Sequence, residues 1–452
     1  MTKVGDMTQG SIAKSLWLFA VPLMLGNVMQ QFYNLADTWV VGRFIGSAAL
    51  GAVGSSYTLM TFLTSVIIGL CLGCSAFTAM AFGRRDMAAV RSGLFMSGLL
   101  TAGLTLVIMV LFYSFLWPII RLLQVPADNA DLMHTYLFYV FFGFFFTYIY
   151  NFCVNILRGI GNAVVPLVFL GISVVLNVGL DLLFVAGFRW GIRGAAAATV
   201  MAQAAAGVGI MVYIIAAVPE LRLHREDRVW HREHFRQILS LSGYTCLQQS
   251  VMNFGILLVQ GIVNSFGVTV MAAFAVAVKI DTLAYMPVQD FGNAFAVFTA
   301  QNYGAKAVER IRRGIRTALV SVTAFCLPVS AVVCILAPQL MRLFVGSDDP
   351  AGAVTAVGTG YLRIEGACYL GIGILFLLYG YFRSVNRPLV SVVLTVISLG
   401  VRVFLAAMLS QVPSVGVIGI WTAIPVGWFL ADLTGGVLLW RDMSRSCDTI
   451  RP

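Results

Sequence analysis

The chain has 452 residues, of which 60% are hydrophobic and 11% charged, with 29 Lys and Arg against 19 Asp and Glu and a formal net charge of +10. A water-soluble fold of this length could not hide that much apolar surface, so the solvent must be lipid. Nucleic-acid binding is a poor account of the charge, because the basic residues lie in short dispersed loops with no aromatic platform beside them.

Apolar runs long enough to cross a ~30 Å hydrocarbon layer recur from end to end. In chain order they predict spans at 15–41, 50–80, 93–118, 132–156, 164–187 and 191–217, and a second set at 238–263, 271–301, 317–345, 356–380, 388–410 and 416–440. Helices are expected, since lipid offers no partner for a free backbone group and the runs are too long for barrel strands. The first run is too long for a cleaved signal peptide and lacks a small-residue cleavage site. Cys71 and Cys74 form a CxxC in the second span; on a continuous apolar helix with no second ligand pair, the expectation is packing rather than a metal or redox centre.

Most of the Lys and Arg fall on one side of this topology. The other side holds Arg43, Arg121, Arg189, Arg193 and Arg342, and Lys279, Arg363 and Arg402 fall inside spans. The positive-inside rule then puts both termini in the cytoplasm and requires an even number of crossings.

A shift of about 221 residues brings Gly46 onto Gly267, Gly83 onto Gly304 and Gly93 onto Gly314, the mark of an internal duplication. Six spans return to their starting side, so the repeats are parallel. The expected fold is an all-α integral membrane protein, with twelve transmembrane helices in two parallel six-helix bundles related by a pseudo-two-fold axis along the membrane normal. The bundles are assigned to 1–217 and 238–452, joined by a cytoplasmic linker at 218–237. His224, His231 and His234 at the linker read as a solvated charged face, not a metal site.

Ionisable groups inside spans are costly and each calls for a partner. The N-terminal spans contain Asp37 and Asp181 with no Lys or Arg in their interior. At ~1.5 Å rise per residue both acids and Thr199 lie in the outer third of the bundle. Asn177 is one turn from Asp181, on the same face. Two ionised and unpaired carboxylates are prohibitive, so the cluster either takes up protons or admits a hard cation suited to oxygen donors. The alternative is a permanently protonated pair that ties helices together. In the C-terminal spans, Lys279, Asp281, Arg363, Glu365 and Arg402 form a nearly balanced charge network, read as mutual pairing. Asp290 is left as a candidate contact for a cationic guest. Pro22, with Gly26 one turn on, permits a kink in span 1 that would displace Gln30, Tyr33, Asn34 and Asp37; a static kink is the alternative.

Five stretches in order, QQFYNLADTWVVGRFIGSAALGAVG, LRGIGN followed by Pro166, LNVGLDLLF, GAAAATVMAQ and FTAQNYGA, resemble bacterial multidrug and toxic compound extrusion (MATE) exporters. The resemblance covers the whole chain and is nearest to the branch containing the DNA-damage-inducible and MepA-type proteins. It implies export of amphipathic, often cationic compounds driven by inward flow of H⁺ or Na⁺, from the bacterial cytoplasmic membrane, with no cofactor and no permanent metal. The family's cation positions carry over onto Asp37, Asn177, Asp181 and Thr199, its bending proline onto Pro22, and cleft-lining polar positions onto Gln30, Tyr33, Asn34, Asn151 and Asn155. Span 7 offers Gln248, Gln249, Asn253 and Gln260 but no carboxylate, so the C-terminal sodium site of another branch is not expected. The expected partners are a small amphipathic substrate and the lipid bilayer, with no nucleic acid, and the chain is taken as a monomer.

Three rivals remain. A flippase for lipid-linked saccharides would need a basic cavity for its anionic head group, and the N-terminal bundle is acidic. A membrane enzyme would need a nucleophile elbow, metal motif or phosphate loop that is missing from the sequence, so the chain is read as no enzyme. An ion channel would need a filter or pore-lining repeat.

Overall fold

The computed structural model of the chain describes residues 5–122, 127–345, 349 and 352–448. Lys3 and Arg451, two of the basic residues expected on the cytoplasmic side, lie outside them. The described chain is helical, in the order α1 (Ile12–Phe44), α2 (Ser47–Gly83), α3 (Met87–Leu122), α4 (Ala127–Phe142), α5 (Phe144–Gly159), α6 (Val164–Asp181), α7 (Ile192–Ala217), α8 (Arg232–Asn264), α9 (Val268–Gly304), α10 (Val308–Val345), α11 (Ala353–Gly366), α12 (Tyr369–Ser384), α13 (Pro388–Leu409) and α14 (Val417–Asp448). A six-residue π-helical segment, Leu182–Gly187, continues α6.

Ten helices are long and apolar enough to cross a bilayer, and two bent pairs complete the set of twelve expected spans. The bent pairs correct the sequence reading of spans 4 and 10 as single helices. Asn129–Phe142 meets Phe144–Gly159 at 44°, and Ala353–Gly366 meets Tyr369–Ser384 at 52°. Both breaks occur beside a glycine packed closely against a neighbouring helix. A Cβ on Gly143 would fall 2.9 Å from Val200 and 3.0 Å from Gln203, and one on Gly366 3.1 Å from Val333. Several helices also outrun their apolar runs. The 38 residues of α10 span ~57 Å, and its first turns, VERIRRGIR, are too polar for hydropathy to register.

By packing, the chain forms two units. The N-terminal unit gathers Val21–Cys246 with the stretch ending at Asp6, and the C-terminal unit gathers Met7–Ala20 with Leu247 onward. The N-terminal ends of α1 and α8 therefore each pack in the unit opposite to the rest of their helix.

Within each unit the same local solutions recur. Gly46 (φ 115°) precedes α2 and Gly267 (φ 92°) precedes α9, in backbone that only glycine adopts freely. After α2, Arg85 takes φ 60°, and after α9, Lys306 takes φ 57°. The Asp86 amide then donates to Ala81 O at 3.1 Å, and the Ala307 amide to Asn302 O at 2.9 Å. Gly93 lies flat against the Phe77 ring and Gly314 against the Phe298 ring, with no room for a Cβ at either. Arg158 and Arg383 close the equivalent helices α5 and α12, followed by Gly161 and Asn386 with φ of 82° and 60°. This last pair stands a few residues further apart than the others, so the repeats differ by a short length change before it.

The linker is held rather than free. Arg91 Nε donates to both carboxylate oxygens of Asp227 at 2.9 Å, and the His224 amide donates to Asp227 Oδ2 at 2.9 Å. Burial opposes the charge on Asp227, but the Arg91 hydrogen bond and the His224 amide outweigh it and hold the carboxyl below the usual range. In the C-terminal unit, Arg310 donates to the carbonyls of Met7, Gln9 and Gly10 at 3.1, 2.8 and 2.9 Å. Asn302 Nδ2 reaches Met7 O at 3.2 Å, and the Met7 amide donates to Gln301 Oε1 at 2.9 Å. The Gln301–Asn302 pair of the FTAQNYGA stretch thus anchors the start of the chain.

Candidate cation site

Four helices of the N-terminal unit bring oxygen-bearing side chains to one place. Tyr33 and Asp37, one turn apart, come from α1; Tyr136 comes from α4, Asn177 and Asp181 from α6, and Thr199 from α7. The local sequence explains the arrangement. Helical i, i+4 spacing stacks each α1 and α6 pair on one face, and Asp181 closes α6 where the π-helical segment Leu182–Gly187 begins. Such a segment widens the backbone turn and re-aims side chains, and it recurs at functional positions.

Asp181 and Asn177 are 0% exposed and Thr199 6%, while Asp37 and Tyr33 are half-buried. The Asp37 and Asp181 carboxyls lie within interaction range of each other, and Tyr33 lies beside Thr199 and both acids. Among the described residues, no Lys or Arg acts on either carboxyl. Val40, Val41, Met133, Leu137, Val140 and Val185 belong to the apolar core around them. Asp37 Oδ1, both carboxylate oxygens of Asp181, both amide atoms of Asn177 and Thr199 Oγ1 are buried without a hydrogen bond. The donors are all oxygen, which suits a hard cation and not a soft one.

The remaining positions singled out in the sequence are distributed differently. Gln30 and Asn34 are half-buried on α1. On α5, Asn151 Nδ2 donates to Thr147 O at 2.8 Å and Asn155 Nδ2 to Asn151 O at 2.9 Å, so each amide bonds a carbonyl one turn back in its own helix. Pro22 lies inside α1, which runs on unbroken through it. Asp290 is buried on α9 and is partnered. Of the five charges read as a C-terminal network, the structure brings together Asp281, Glu365 and Arg402. Lys279 and Arg363 are exposed on α9 and α11. Cys71 and Cys74 are buried free thiols, with Cys74 Sγ 3.3 Å from Ser242 Oγ.

The sequence reading missed Tyr136, which is 7% exposed and lies beside Asp37, Tyr33 and Asp181. A search for charges inside spans passes over a neutral phenol; its depth in span 4, level with the acids, was the available signal. Asp432, a further acid on α14, has both of its carboxylate oxygens buried without a hydrogen bond.

Comparison with known proteins agrees with this architecture. The MatE family model matches the chain twice, over residues 22–183 and 245–408, one match in each half of the duplication. The "Probable multidrug resistance protein YpnP" of Bacillus subtilis is 30% identical over 402 residues, 88% of each chain. The DNA damage-inducible protein F of Escherichia coli is 26% identical over 65% of this chain and 64% of its own. An outward-facing multidrug resistance MATE family transporter of the MOP superfamily superposes with a TM-score of 0.92 at 23% identity, over 99% of both chains. With the family model matched in both halves and the fold shared from end to end, this chain belongs to the MATE family of multi-pass membrane transporters.

Proposed function

We propose that the chain is a secondary active antiporter that exports amphipathic, cationic compounds in exchange for H⁺ or Na⁺ by alternating access. The observation that carries this reading is the adjacent Asp37–Asp181 pair, with no basic partner among the described residues. Two adjacent carboxylates in an apolar surround cannot both stay ionised, so their compensation must come from a mobile cation. Asn177 and Thr199 supply further oxygen donors, and Tyr33 and Tyr136 close the site towards α1 and α4.

In this cycle the outward-facing protein takes up H⁺ or Na⁺ at the acid pair. Loss of negative charge alters packing around α1, with Pro22 as the point where the helix gives, and a cationic guest held near Gln30, Tyr33 and Asn34 loses attraction and leaves. The inward-facing protein returns the ion and reloads. The protein sits in the bacterial cytoplasmic membrane with both termini inside. A flippase for lipid-linked saccharides is the weaker reading, because an acidic bundle repels an anionic head group. The multidrug resistance name carried by YpnP points the same way.

The test is transport of a panel of cationic dyes in proteoliposomes under separately imposed pH and sodium gradients. Efflux driven by one of the two gradients is expected. Dye movement indifferent to both would remove the antiport reading.

A further inference from the structure

Arg383, in the last turn of α12, is 7% exposed, a degree of burial that a guanidinium rarely reaches without a carboxylate beside it. Its Nη2 donates to Asn293 Oδ1 on α9 at 3.2 Å, and among the described residues no Asp or Glu forms an ion pair with it. The acids around this end of the C-terminal unit are committed to other groups. Asp442 on α14 pairs with Arg387, one turn beyond Arg383. Glu309 on α10 pairs with Arg312 at 3.2 Å, and Asp290, one turn before Asn293 on α9, is already partnered. Arg158, which closes the equivalent helix α5 in the other half, is only half-buried and has a partner.

Taking a cation out of water without a counter-charge is costly, and one neutral amide oxygen offsets little of that cost. A guanidinium cannot escape by losing its proton, so its compensation has to come from an anion. The polar atoms left over are all donors. The neighbouring Ser384 hydroxyl is spent on the Ala296 and Gly380 carbonyls at 2.6 Å, whereas Arg383 Nε and Nη1 and the Asn293 amide nitrogen bond nothing among the described residues and are not sealed off by protein. Donors alone around a net positive charge suit an anion and repel a metal cation. The near-complete burial of Arg383 leaves a narrow opening, which admits a single small ion and not a bulky organic acid or a lipid head group. Exposed Lys306 and Arg313 nearby on the chain's basic end draw anions towards it.

We propose that Arg383 and Asn293 form an anion site that holds one chloride between α9 and α12, bound by the free guanidinium nitrogens and by Asn293 Nδ2. The chloride supplies the missing counter-charge and ties the last turn of α12 to α9. The site does not depend on the reading of the N-terminal acids, and the two are tested apart.

The experiment compares chloride with gluconate, an anion too large for the opening, at constant pH and ionic strength on the purified full chain in lipid nanodiscs. The readouts are the linewidth of the chloride magnetic resonance signal and the melting temperature. Wild-type protein is expected to broaden the chloride line and to melt about 3 °C higher in saturating chloride than in gluconate. Arg383→Gln removes the charge that calls for the ion, so both effects vanish. Asn293→Asp puts a carboxylate against the guanidinium, so the broadening also vanishes, and the variant in gluconate melts as high as wild type in chloride. Lys306 and Arg313 are intact in both variants, so broadening that persists in either one marks an adventitious ion only and overturns the proposal. A wild-type protein indifferent to chloride overturns it as well. Should Arg383→Gln not fold, Asn293→Asp decides alone; its own failure to fold would contradict the proposal, because a carboxylate placed beside an uncompensated guanidinium has to stabilise.

Discussion

Gly93 and Gly314 show how closely the two halves repeat one another at the level of single atoms. Each lies against a phenylalanine, Phe77 at 1% exposure and Phe298 at 0%, in a gap that a methyl group cannot enter. A buried ring cannot swing aside, so Gly93→Ala and Gly314→Ala should each destabilise the protein by about 1–3 kcal/mol, seen as lowered melting temperatures of similar size in detergent. A neutral result at both positions would mean that the rings are not fixed as described. Some of the single-residue picture was legible beforehand. Asp37, Asp181, Asn177 and Thr199 could be placed at one depth because charge inside an apolar run is conspicuous and helical rise converts position to depth. Tyr136 was not legible, because a phenol in an aromatic run carries no such signal. Nor was the exclusion of Lys279 and Arg363 from the C-terminal cluster, because depth says nothing about which way a helix face turns.

The helices were located to within a few residues wherever the apolar run and the helix coincide, as for 164–187 and α6 with its π continuation. They were missed where a helix continues into water or bends inside the membrane. Hydropathy averages over a window, so the breaks at Gly143 and after Gly366 leave no trace in it; only close packing against Val200 and Val333 reveals them. The linker was read as a solvated charged segment, which is what its composition suggests, yet Arg91 on α3 grips Asp227 through both oxygens. A contact between residues so far apart in sequence has no local signature. Because that carboxyl is held below its usual range, its contribution to stability is present above the unfolded carboxyl pKa of about 4 and is lost as pH falls through the lowered folded value. The melting temperature of the wild-type protein should therefore exceed that of Asp227→Asn at neutral pH, with the gap closing on acidification. A gap that stays constant into acid would show that the Arg91 contact contributes nothing through charge.

Across the whole chain, the duplication inferred from a few matching glycines is repeated in backbone geometry, from the left-handed Arg85 and Lys306 to the two matches of one family model. Packing adds something that chain order hides, since Met7–Ala20 belongs with the unit that begins at Leu247, and α1 changes unit just before Pro22. The residues just before α1, the helix that carries Asp37, are anchored at Met7 by Gln301, Asn302 and Arg310. The account stands on the acid pair as the seat of energy coupling. Its most direct test is gradient-driven efflux of a cationic dye from energised vesicles carrying Asp37→Asn or Asp181→Asn. The expected result is a loss of at least about tenfold in each, with expression and folding retained; undiminished efflux in both variants would contradict it.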